Sequence, residues 1–164
     1  MPASGRRAVN AASAPVFRSS GRRGFTDVIE KDPRHVIARK LAREIQVRFA
    51  SADCPVKTSE GTVQARPGDA IVTGISGEHW RVSISHFADK YEPVPPTQAG
   101  QAGTYRSLRY QVLALQLDHN FEVILADGTS RLRGRAGDWL EDYGDGSLGI
   151  VSASAFDQTY EIVG

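Results

Sequence analysis

Four histidines, one cysteine and a run of alternating arginines are the first side chains to test for chemistry in this chain of 164 residues. His79 and His86 stand seven apart across an expected strand-to-helix change, which does not fit the compact spacing of metal ligands. Cys54 has no second cysteine with which to hold zinc or close a disulfide, and a lone thiol suits a reducing compartment. Cys54 with His79 or His86 would give a nucleophile and a base only if the fold joined them, and "DCPV" carries no local signature of a cysteine hydrolase. The patterns G-x-x-x-x-G-K-[ST] and G-x-S-x-G are absent, which removes the commonest phosphate-cradle and serine-hydrolase readings. "DYGDGS", Asp142–Ser147, lacks the final glutamate of a calcium loop and reads as a tight turn. The sequence names no catalytic residue, no metal site and no cofactor.

Two basic features remain. Arg131, Arg133 and Arg135 alternate, so on a strand they share one face and form a candidate anion contact, although solvated strands often look the same. Residues 1–25 hold Arg6, Arg7, Arg18, Arg22 and Arg23 with no acid, leaving 15 basic and 19 acidic residues for the rest of the chain. Few large apolar groups interrupt that leader. It reads as a disordered basic tail, with a targeting segment or a nucleic-acid arm as open alternatives.

What must position any site is a phrase written twice. Gly68, Asp69, Gly77, Val82, Ser83, Ser85, Phe87, Tyr91, Glu92 and Val94 recur 69 positions later as Gly137, Asp138, Gly146, Val151, Ser152, Ser154, Phe156, Tyr160, Glu161 and Val163. Upstream, "VKTSEGT" parallels "VILADGT". Self-similarity at a fixed period implies a duplicated unit, here of about 50–55 residues. Turn residues such as Glu60-Gly61, Gly68-Asp69, Asp127-Gly128 and Gly137-Asp138 cut each unit into short strands, and a Phe and a Tyr four apart close it with a turn of helix.

The fold class expected is mainly β: two tandem small SH3-like barrels or β-rolls preceded by a short N-terminal helix. The organisation expected is a tail over 1–25, a helical lead-in over 26–43, repeats over 44–94 and 105–164, and a Pro/Gly linker over 95–104. Asp32-Pro33 followed by Val36, Ile37, Leu41 and Ile45 predicts the helix near 33–44. The hydrophobic fraction of 40% in runs too short for a bilayer gives no membrane segment, and a cytoplasmic location is expected.

"SEGTVQARPGDAIVTGISGEHWRVSISHFADKYEPV" resembles a short module of phage and bacterial proteins. In that module a "PGD" precedes a G-x-x-G-E turn, an aromatic residue and a closing F-x-x-x-Y-E, here Pro67, Gly68, Asp69, Gly74, Gly77, Glu78, Trp80, Phe87, Tyr91 and Glu92. The resemblance implies a compact β module of mobile-element and accessory proteins, and no activity. In the second copy Glu78 and Trp80 become Ser147 and Gly149, while the aromatic after Gly-Asp is Trp139.

The functional expectation is a non-enzymatic module that binds a protein or peptide, with Glu78, His79 and Trp80 in one copy and Trp139 and Tyr143 in the other as its anchors. A nucleic-acid partner held by the tail and by Arg131, Arg133 and Arg135 is the alternative, followed by an enzyme whose site is unrecognised.

Overall fold

Alternating apolar and polar residues cut by glycine-containing turns make this a chain of short strands. A computed structural model describes residues 14–164. In order, the elements are β1 (Val16–Arg18), α1 (Asp27–Glu30), β2 (Val36–Lys40), β3 (Glu44–Phe49), β4 (Cys54–Thr58), β5 (Gly61–Ala65), β6 (Ala70–Thr73), β7 (His79–Val82), α2 (Ile84–Lys90) and β8 (Tyr91–Pro93). There follow β9 (Gly103–Ser107), β10 (Gln111–Gln116), β11 (Phe121–Ile124), β12 (Arg131–Gly134), β13 (Trp139–Asp142), β14 (Leu148–Val151), α3 (Ala153–Thr159) and β15 (Tyr160–Ile162).

Two five-stranded sheets dominate, ordered β7-β6-β3-β9-β8 and β14-β13-β10-β2-β15, beside a β1-β11-β12 sheet and a β4-β5 hairpin. The large sheets share one register. Val47↔Val72 and Val72↔Trp80 in the first sheet answer to Ala114↔Glu141 and Glu141↔Gly149 in the second. Ile45↔Tyr105 likewise answers to Val112↔Ala38. β9 therefore completes the first sheet, while β2, from the far end of the chain, completes the second.

The expected boundaries at 44–94 and 105–164 cut across this arrangement, because β9 serves the first sheet and β2 the second. The reason is hydrogen bonding. Without β2, β10 and β15 would each present an unpaired edge, and an open edge is a liability.

Three corrections follow. The helix expected near 33–44 is strand β2: pairing with β10 on one side and β15 on the other outweighs helical spacing, and Asp32 accepts from the Arg34 N–H (2.8 Å) in a local turn instead of capping a helix. The lead-in keeps helix only in the single turn of α1. Of the tail, residues 1–13 lie outside the described residues, but Val16–Arg18 pair in parallel with β11 and Phe17 sits edge-on to Phe121 at 6.2 Å. Lastly, among the described residues no sheet closes into a barrel. The chain passes from β7 to β8, and from β14 to β15, through a helix, which leaves each pair at opposite edges of its sheet.

One face of each large sheet is sealed by its helix. Phe87 stacks on Tyr91 and Phe156 on Tyr160, each at 5.2 Å, which fits the expected role of these rings as core. A third core joins the halves, with Val56, Val63 and Ile71 packed among Leu113, Phe121, Leu140 and Ile150. The turns are built alike. Asp69 and Asp138 accept from the N–H groups of Arg66 and Arg135, each at 2.9 Å, and Asp69 also accepts from Ile84 N (3.0 Å).

Candidate binding cleft

β7 and β14 are both edge strands, and residues of both line a single cleft of about 730 Å³. The bond from Tyr143 N to Ser147 O (3.2 Å) sets the phase of the β13–β14 ladder. Gly149 and Val151 therefore bond inward to β13, while Leu148 and Ile150 turn their N–H and C=O groups to the outer edge. By the matching bond from Gly74 N to Glu78 O (2.9 Å), His79 and Arg81 do the same on β7. Ser19 Oγ takes the Leu148 N–H (3.1 Å). The outward backbone groups of Arg81 and Ile150 have no partner among the described residues.

At one end of the cleft the halves meet in a buried polar cluster. Lys90, the last residue of α2, sits 3.7 Å from the centre of the Tyr143 ring and 3.6 Å from Asp145 Oδ2, and His86 Nδ1 reaches the same carboxylate at 3.3 Å. Lys40 of β2 lies over the Tyr160 ring at 4.8 Å. Behind them Glu141 is 0% exposed. Its Oε1 accepts from Tyr160 OH (2.8 Å), and its Oε2 has no hydrogen-bond partner. Burial pushes the Glu141 carboxyl up to about 7, against the pull of Lys40, and pushes Lys40 and Lys90 down. Burial also raises Tyr91 to about 12 and holds Tyr110, Tyr143 and Tyr160 well above the ordinary phenol range.

The expected anchors fare unequally. Trp139 is a correction: it is 8% exposed and stacks on Phe156 at 4.0 Å, so it is core and cannot serve as an exposed anchor. Trp80 is half-buried against the first core, and its Nε1–H donates to Tyr91 OH at 3.3 Å while the residue lines the cleft. Gly149, its counterpart, is not a vacancy. A Cβ there would meet Tyr143 OH at 2.9 Å, and on the other side a Cβ at Gly74 would meet Glu78 Oε1 at 2.5 Å. The space beside Gly74 is thus filled by Glu78, and the space beside Gly149 by Tyr143, whose ring is carried by the turn instead of the strand. Glu78 folds back to accept from Ser76 N (2.9 Å), and His79 is exposed with Nδ1 at 3.0 Å from Thr73 Oγ1.

Arg131 and Arg133 alternate outward on β12, as strand geometry requires, and both pair with Glu122 on β11. Arg135 lies beyond the strand, so the three do not form one unneutralised stripe. Among the described residues no group of three His, Cys, Asp or Glu could hold a metal ion, and no helix is long and apolar enough to cross a membrane. Sequence reasoning passed over Glu141, Lys40 and Lys90. The one available signal was an acidic pair, Glu141-Asp142, inside an otherwise apolar strand.

A family model described as PGDYG protein matches residues 61–161. The chain belongs to the PGDYG family. The match runs from β5 to β15, so the PGDYG region takes in the cleft-lining strands β7 and β14 and most of the tyrosine cluster, while β2 with Lys40 lies ahead of it. No curated protein and no solved structure matches this PGDYG protein.

Proposed function

We propose that this PGDYG protein is a non-enzymatic binding module that takes an extended protein or peptide segment into the cleft between β7 and β14. The observation that carries the reading is the pair of edge strands lining one cleft, with the Arg81 and Ile150 backbone groups unpartnered. A segment entering there adds a strand: main-chain hydrogen bonds supply affinity, and alternate side chains meet Trp80 and Val82 on one wall and Ile150 and Val151 on the other. The shared register of the large sheets supports reading the halves as a tandem duplication, with the two copies turning equivalent edges toward each other. The resemblance to phage and bacterial modules supports a cytoplasmic accessory role. A nucleic-acid partner gains nothing from the Glu122-paired arginines.

The test is selection from a random-peptide display library, followed by affinity measurement on the winning sequences. Binders rich in β-branched residues are expected, and N-methylation along one backbone edge of a binder should cost at least about tenfold in Kd, since each lost hydrogen bond is worth about 1 kcal/mol. Binders indifferent to N-methylation on either edge would sink the strand-addition reading.

A further inference from the structure

We propose that the narrow end of this cleft, where Lys40 and Arg43 face Trp80 and Tyr91, binds a carboxylate carried by the incoming segment. The proposal rests on the cleft reading for its occupant, but its chemistry comes from a separate observation. Lys40 and Arg43 line a side pocket of about 30 Å³ that shares Lys40, Trp80, Tyr91 and Thr159 with the main cleft.

Neither cation has an ion-pair partner among the described residues. No carboxylate of the described residues lies within 4.0 Å of Lys40 Nζ, and the Arg43 guanidinium donates only to the carbonyls of Ala42 (3.1 Å) and Gln158 (2.9 Å). Lys90, by contrast, is matched by Asp145. Glu78 is the one acidic residue lining the pocket, and its Oε1 is engaged by the N–H of Ser76 in its own turn. Glu141 pulls on Lys40 from behind the tyrosines but is itself fully enclosed. A half-buried ammonium beside a guanidinium, with no carboxylate in ion-pair contact with either, is an arrangement that an incoming anion completes.

Size narrows the choice of anion. A volume of about 30 Å³ is room for about two waters, each of which needs about 10–15 Å³ on the same measure. A carboxylate head fits such a space and a continuing backbone does not, so the group ends a chain, either as its C-terminus or as an Asp or Glu side chain.

Sodium acetate and acetamide are the probes, titrated into the full chain at constant ionic strength while the Lys40 and Arg43 side-chain resonances are followed. Acetate should give a saturable shift at both residues and acetamide none. The shift should disappear in Lys40→Met and persist in Lys40→Arg, and if Lys40→Met does not fold, the acetate and acetamide comparison on the unaltered chain decides. A peptide selected for the cleft is then compared with its C-terminal amide and with its Asp→Asn or Glu→Gln version. Loss of at least about tenfold in affinity in one of these supports the proposal and identifies the source of the carboxylate. Equal affinity for all three peptides overturns it, as does an identical response to acetate and acetamide. If no peptide binds at all while acetate still moves Lys40, the cleft reading fails and the anion site stands.

Discussion

Glu141→Gln should stabilise the protein at pH 8 and leave it nearly unchanged at pH 4. Glu141 is fully buried with one unpartnered oxygen, and burial raises its carboxyl from 4.5 to about 7. Below the unfolded value the group is protonated in both states and has no differential effect. As pH rises through the folded value, the unfolded chain gains a solvated charge that the folded chain resists, so stability is lost across the window from 4.5 to about 7 and stays lost above it. A shift of this size corresponds to about 3 kcal/mol at 1.36 kcal/mol per pH unit. Glutamine mimics the neutral acid and keeps the acceptor for Tyr160 OH. It also removes the carboxylate that helps keep Lys40 and Lys90 charged, which makes about 3 kcal/mol a ceiling. The assay is urea unfolding of both proteins at pH 4 and pH 8. A Glu141→Gln variant with no gain at pH 8, or one destabilised equally at both, would refute the reasoning and show Glu141 to be a well-paired ion of the Lys40 and Lys90 cluster.

Three further outcomes follow from the packing. Trp139→Ala should cost about 3–5 kcal/mol in urea unfolding, the range for deleting a buried ring, because its indole stacks on Phe156 at 4.0 Å; a loss under about 1 kcal/mol would return Trp139 to the surface. Gly134→Ala should destabilise by at least about 1–3 kcal/mol, since its Cβ would fall 2.3 Å from the Phe121 ring beneath it, and an unchanged Tm would show that the ring moves aside freely. Deleting residues 1–18 should lower the Tm by several degrees through loss of β1 and of the Phe17 contact with Phe121, and an unchanged Tm would return this stretch to the status of a dispensable tail.

The parts legible in the sequence were those with local causes. Gly68-Asp69 and Gly137-Asp138 are turns because an Asp side chain reaches an N–H three residues back, a signal contained in four residues. The Phe87/Tyr91 and Phe156/Tyr160 pairs follow in part from helical spacing, since each Tyr N–H closes the last helical turn on the Phe carbonyl, although each Tyr itself opens a strand. The parts that were not legible depend on distant pairing. β2 shows helical spacing in isolation, and only β10 and β15, more than seventy residues on, make it a strand. Trp139 reads as a free anchor in isolation because its partner Phe156 arrives from another element, and Gly149 reads as an open position because Tyr143, which fills the space beside it, comes from a neighbouring turn. Lys40, Lys90 and Glu141 come from three separate strands and helices, so no local pattern marks them as a cluster.

Amide hydrogen exchange on a peptide-bound sample tests the strand-addition account most directly. The account predicts that the outward-facing amides of Arg81 on β7 or Ile150 on β14 become protected when a selected peptide binds, while the inward-facing Gly149 and Val151 amides, already bonded to β13, change little. Binding that leaves Arg81 and Ile150 exchanging at their free rates, or that protects the β12 arginines instead, would contradict it.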